Sequence, residues 1–374
     1  MALPVLMLFG TAGALHPAPP QEHADCAAPS YIRFLEFWDT TDFCRHTVPL
    51  EEIFSGGVPP DGIPPIDEPF FDSLELAGQW LQPQSPVLAL ELEGMARAYP
   101  LAILTRHEIV NDVIGERPVA VTFCPLCNSA VVFDRRVEGQ TLRFGVSGNL
   151  RNSDLVMWDD LSKSWWQQFT GEGIVGQYAG TRLELLPALL VSFGEFAQQY
   201  PQGEVLAPGR PGYGVNPYVG YDSNPQPFLF FGEPDDRLFA TERVLGTLLA
   251  GEAVAWPFPA LMETPVINDY VGDSAVVAIW QPGQTSALDA YSIDASRDVG
   301  MAALYDRVLD GRLLSFAQDA EGRIFDEQTG SQWNVFGNAL DGELAGSRLR
   351  QLLAFPHFWF AWAAFRPETR VYGL

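Results

Sequence analysis

Apolar and polar positions alternate in short runs along most of this chain. Residues 87–94 (VLALELEG) alternate as a half-buried strand, turn at Gly94 into ARAYP, and reach Pro100, which opens a short helix predicted through residues 101–112 (LAILTRHEIVND). Residues 118–123 (PVAVTF) and 129–134 (SAVVFD) are β-branched and aromatic. They flank CPLCN and predict a hairpin with Cys124 and Cys127 in its turn. Further strands are expected at TLRFGV (141–146), DLVMWD (154–159) and SWWQQF (164–169), and VSFGEFAQQYP (191–201) reads as a closing amphipathic helix.

This pattern occurs twice. Residues 87–115 match 244–272 without a gap, with identities that include Gly94/Gly251, Pro100/Pro257, Asn111/Asn268, Asp112/Asp269 and Gly115/Gly272. The match resumes as 131–144 against 303–316, 157–169 against 324–336, and 179–183 against 345–349. Four blocks in one order predict two tandem copies of one β-rich unit in a pseudo-two-fold arrangement, within an α+β, strand-dominated fold. The expected organisation is a signal-like segment and linker (1–25) and an N-terminal extension (26–86). A first repeat unit (87–200), a Gly/Pro/aromatic-rich connection (201–243) and a second, degenerate unit (244–374) follow.

Composition narrows the field. With 374 residues, 47% hydrophobic and 18% charged, the chain can bury a large core and is not disordered. A formal net charge of −25 argues against nucleic acid or an anionic membrane as partner. The apolar run at residues 1–15 is too short to span a bilayer and resembles the apolar core of a secretory signal, so an exported protein without an integral membrane span is expected. Oligomeric state is not legible. In an exported protein, Cys26 and Cys44 form a plausible disulfide in a Pro-rich setting.

The two copies allow scaffold to be subtracted from chemistry. Trp166/Trp333 and Arg182/Arg348 are shared and belong to the fold. The first copy alone has His107, which faces Thr264; the CPLC turn, replaced by a longer segment without cysteine; and the loop GVSGNLRNSD. The shortening of that loop to AQDAEGR removes Ser147, Arg151, Asn152 and Asp154. Losses that fall together indicate a site kept by one copy. A C-x-x-C between two strands aims both sulfurs to one side, where they can chelate a metal. His107, at the end of the helix before the hairpin, is the leading third ligand. Two thiolates and an imidazole suit copper before zinc. Two buried thiols or a redox disulfide are the bland alternatives for the cysteines. His46 could reach the site as a fourth ligand, although a surface histidine is the simpler reading; His357 reads as core. Arg151 and Asp154 are candidates for a substrate wall or for a loop-fixing ion pair, and Trp165 and Trp166 for half core and half site wall.

The stretch from HEIVNDVIGERPVAVTFCPLCNSAVVFDR through LRFGVSGNLRNSDLVMWD to SWWQQFTGEGIVG, with DGIPPIDEPFF upstream and FWFAWAAFRPET downstream, resembles the prokaryotic family designated domain of unknown function 3179. The resemblance covers nearly all of residues 38–374. It implies an exported or lipid-anchored protein in which His107, Cys124, Cys127, Arg151, Asn152 and Asp154 are family-typical, and it implies no particular activity. Cys26 and Cys44 depart from the pattern. The function expected is that of an exported protein binding one transition metal through Cys124, Cys127 and His107, for metal handling, electron transfer or a metal-dependent reaction on a small-molecule ligand. A metal-free thiol–disulfide oxidoreductase and an extracellular ligand-binding module with structural cysteines are the alternatives.

Overall fold

The structure, a computed structural model, describes residues 28–209 and 212–374. The signal-like segment and Cys26, and with it the expected Cys26–Cys44 bridge, lie outside those residues. Strands dominate, arranged in several small sheets with short helices between them. Among the described residues no helix is long and apolar enough to cross a membrane.

The hairpin Pro86–Leu92/Met95–Pro100 is flanked by the antiparallel strand Leu189–Ser192 and the parallel strand Glu204–Leu206. A second sheet contains Ile109–Ile114, Arg117–Cys124 and Ser129–Asp134, and a third the long hairpin Phe144–Arg151/Asp154–Asp159 followed by Trp165–Gln167. The same succession recurs later. Arg243–Leu249/Glu252–Pro257 takes Ala354–Phe358 antiparallel and Arg370–Val371 parallel. Val266–Val271, Ser274–Gln281 and Met301–Asp306 form the next sheet, and Phe316–Gln318, Ile324–Asp326 and Gln332–Trp333 the last.

Equivalent side chains make equivalent bonds. Asn111 donates to the Phe144 carbonyl at 2.8 Å and accepts from its N–H at 2.9 Å; Asn268 does the same to Phe316 at 2.7 and 2.9 Å. Trp166 Nε1 donates to Asp159, and Trp333 Nε1 to Asp326. The asparagines hold the second sheet of each half to its third, and the Trp–Asp bonds brace the third sheet itself, which explains why the sequence retains them twice.

One expected element differs. The helix predicted through Asp112 ends at His107, and Ile109–Ile114 is a strand. Glu108 takes the left-handed conformation (φ 59°) and ends the helix. The β-branched Ile109, Val110, Val113 and Ile114 then pair with Arg117–Cys124 across a turn at Gly115 (φ 59°).

The main core joins the halves: Val110, Phe123 and Val132 are buried in one cluster with Phe358, Trp359 and Phe360. Residues 28–55 cover the outer face of the third sheet, where Trp38, Phe43 and Ile53 pack on Trp158 and Trp165. The connection beyond residue 212 touches both halves. Tyr218 and Tyr221 pack on the main core, while Asn216 and Gly220 donate backbone N–H groups to Tyr291 and Asp289.

His357 is buried between Phe169 and Trp362, with ring centroids 4.4 and 5.5 Å away. Burial, aided by Arg366, lowers its pKa to about 3. The unfolded chain takes up this proton first as pH falls, so stability is full above pH 6.5 and declines between 6.5 and 3, by up to about 1.4 kcal/mol per pH unit. Urea denaturation at pH 7 and pH 4.5 should show wild type losing at least about 1 kcal/mol more than His357→Phe over that interval. In the same assay Asn111→Ala, which strands the buried Phe144 N–H, should cost roughly 3 kcal/mol.

Candidate metal centre

Two turns of the first half meet face to face. Arg117–Cys124 ends on Cys124, whose partner across the hairpin is Ser129, so residues 125–128 form the turn. Asn128 closes it at φ 50°, a region asparagine enters more readily than most residues with a Cβ. The long hairpin brings its own turn, with Asn152 and Ser153 at φ 52° and 63°, against this one. The Ser153 carbonyl oxygen lies 3.8 Å from Cys124 Sγ and 3.4 Å from Cys127 Sγ.

Asp154, the next residue, supplies a third group. One of its carboxylate oxygens and the two sulfurs lie within 4.8 Å of one another, and all three residues are buried. Its Oδ2 accepts from Gln167 Nε2 at 2.6 Å and from the Phe169 N–H at 2.9 Å. Its Oδ1 is buried and accepts from no N–H or O–H among the described residues; the carboxylate's other hydrogen-bonding neighbours are the thiols of Cys127 and Cys124. Burial raises the Asp154 carboxyl to about 7 against the pull of those bonds. Burial also raises the thiol of Cys124, and that of Cys127 well above the ordinary thiol range.

The site is short of positive charge. Glu108, 7% exposed, receives no hydrogen bond at its carboxylate from any described residue. Burial, with Asp154 next, raises it to about 8. The nearby arginines are committed elsewhere: Arg106 donates to the Val215 carbonyl and Arg151 pairs with Glu52 at 2.7 Å.

The structure brings Cys124 and Cys127 together, as the spacing predicts, and groups Asp154 with them where His107 was expected. His107 Nδ1 bonds the Pro64 carbonyl at 2.7 Å and Nε2 the Tyr213 hydroxyl at 2.6 Å. It is absent from the ligand group, which among the described residues contains Asp154 instead. The helix end directs His107 outward, and the left-handed Glu108 returns the chain to the hairpin. His46 Nδ1 bonds the Val48 carbonyl and likewise stays out of the group.

The loop residues take several roles. Arg151 forms no ion pair with Asp154; it pairs with Glu52 and makes a long 3.5 Å contact to Gln167 Oε1, whose amide nitrogen holds Asp154. Ser147 Oγ donates to the Val156 carbonyl and accepts from the Asn149 N–H, which pins a bulge in the long hairpin. Asn152 is a turn residue. Trp165 and Trp166 are core on opposite faces of their sheet, Trp165 against Trp38 and Phe43, and Trp166 against Phe144 and Tyr178. Sequence reasoning missed Glu108, although a signal existed: its counterpart in the second half is Pro265, so the copy that lost the cysteines also lost this carboxylate.

Fold and site together define a strand-rich protein with a buried thiol–carboxylate cluster in one of its two similar halves. The family model described as protein of unknown function (DUF3179) matches residues 60–369, and the chain belongs to that family. No curated protein and no solved structure matches the chain.

The bulge that shapes this hairpin depends on Gly148. Its φ is 79°, and a Cβ there would lie 2.1 Å from the Val58 carbonyl oxygen. Gly139 has a similar φ of 80° with nothing within 4 Å. Gly139→Ala should therefore cost about 1 kcal/mol for backbone conformation alone, and Gly148→Ala roughly 2 kcal/mol beyond that, measured by urea denaturation.

Proposed function

We propose that the protein is exported and binds one transition-metal ion through Cys124 Sγ, Cys127 Sγ and an Asp154 carboxylate oxygen. The carrying observation is a buried Asp154 carboxylate oxygen that no N–H or O–H among the described residues satisfies, grouped within 4.8 Å of two thiols. A half-satisfied buried carboxylate costs free energy that a bound cation removes. The donor set fits a metal: two thiolates and a carboxylate oxygen are three of the four ligands of a tetrahedral site that retains an open position. With a carboxylate where an imidazole was expected, the preference moves to zinc before copper, because zinc accepts hard oxygen and soft sulfur together whereas Cu(I) favours soft donors. Export rests on the signal-like apolar run at residues 1–15.

A thiol–disulfide exchange role for the same cysteines is the competing reading. It is disfavoured because exchange needs an accessible thiolate, whereas both thiols are buried beside carboxyl groups that raise them further.

Protein purified under reducing conditions without a metal-affinity tag should carry about one zinc or copper per chain by elemental analysis. Cys127→Ser and Asp154→Asn should each weaken metal binding at least about tenfold, whereas His107→Ala should leave the stoichiometry unchanged. Metal-free protein whose two thiols form a reversible disulfide would favour the exchange role instead.

A further inference from the structure

A cavity of about 570 Å³ lies directly against this cluster. Three of its lining residues are sequence neighbours of cluster groups: Leu126 sits between the two cysteines, Leu155 follows Asp154, and Glu108 is the buried carboxylate described above. The opposite wall is the connection between the halves, through Tyr218, Tyr221 and Phe228. That wall is tied to the cluster, since Ser153 Oγ donates to the Phe228 carbonyl while the Ser153 carbonyl faces both sulfurs. The volume falls in the range of small-molecule sites.

The lining has a definite chemistry. Apart from Glu108 the described lining residues are apolar, aromatic or uncharged, and none of them is Arg, Lys or His. Glu108 is 93% buried by its 7% exposure, lines the cavity, and has no hydrogen-bond partner among the described residues. Its left-handed backbone, at φ 59°, ends the preceding helix and sets where the side chain leaves the chain. Of the lining residues Val219 and Phe228 are exposed, and the exposed Phe54 and Phe231 pack against each other in a tilted pair with centroids 4.5 Å apart. Exposed apolar side chains around a concave opening mark an entry for an apolar ligand.

We propose that this cavity is a binding site for an organic amine with an apolar body, its ammonium group paired with the Glu108 carboxylate. A positive ligand group satisfies a carboxylate for which the fold provides no donor, and the tyrosine and phenylalanine rings of the wall favour a cation over an anion. A carboxylate or phosphate ligand would meet Glu108 and Asp154 with no compensating base. The proposal does not depend on metal at the cluster.

Three probes share one apolar body and differ only in charge: 4-phenylbutylamine, 4-phenylbutanol and 4-phenylbutyrate. Calorimetric titration into the unaltered protein, as purified and again after chelation, should rank amine over alcohol by at least about tenfold in Kd, with the acid weakest. Glu108→Gln should reduce amine binding to the level of the alcohol, leave alcohol binding unchanged, and leave metal content unchanged. Equal binding of acid and amine, an amine preference that survives Glu108→Gln, or no binding of any probe would overturn the proposal. Metal content measured on the same samples judges the metal centre separately.

Discussion

A carboxylate buried with only one of its oxygens satisfied is the constraint around which the first half is arranged. Gln167 and the Phe169 N–H hold Asp154 Oδ2, and no N–H or O–H among the described residues holds Oδ1. Keeping such a group in a protein interior costs on the order of 1–3 kcal/mol, and more if it is charged. The fold spends further free energy to place it. Glu108, Asn128, Asn152 and Ser153 all sit in left-handed backbone at the turns that converge on the cluster.

The similarity of the halves separates the framework from the site. Asn111 and Asn268, Trp166 and Trp333, and Asp159 and Asp326 make corresponding hydrogen bonds, so the second half is a record of the framework with the cluster removed. The hairpin that carries Asp154 has strands of eight and six residues, whereas its counterpart has strands of three and three. The extra length brings Ser153 and Asp154 to the cysteine turn. The Cys124–Ser129 turn in turn corresponds to the long excursion between Gln281 and Met301, which supports the connecting segment through bonds to Asn216 and Gly220. One half therefore supplies the ligating turns, and the other supports the wall that faces them.

Much of this was legible in the sequence because it is local. The CPLC hairpin follows from two β-branched runs around a proline-containing turn, and the loop carrying Asp154 stood out because the second copy lacks it. That Asp154 and not His107 lies with the two sulfurs was not legible, because it depends on which way a helix end turns. A histidine one residue before the hairpin looks well placed, yet a single left-handed residue, Glu108, rotates His107 toward Pro64 and Tyr213 and places its own side chain by the cluster. The same reversal converts the expected helix into the Ile109–Ile114 strand. Trp165 and Trp166 show the other limit: in a strand, neighbours face opposite sides, so a tryptophan pair cannot both line one wall.

The shortage of positive charge links the cluster to the cavity. Four acidic or thiol groups, Glu108, Cys124, Cys127 and Asp154, meet with no arginine, lysine or histidine assigned to them. Several buried acids elsewhere are ion-paired: Asp222 meets Arg243 and Arg297, each at 3.0 Å, and Asp112 meets Arg97 at 2.8 Å. Others are held by neutral donors, as Asp159 is by Ser162 and Trp166. At the site burial shifts the carboxyls toward their neutral forms, and a cation bound there would favour the charged ones. The two vacant demands differ in kind: sulfur and oxygen atoms close enough to share one ion, and a lone carboxylate at the edge of an apolar chamber. A metal ion answers the first and an organic cation the second. Their adjacency, with Leu126 and Leu155 between them, would set a ligand in the chamber beside a metal held by the cluster.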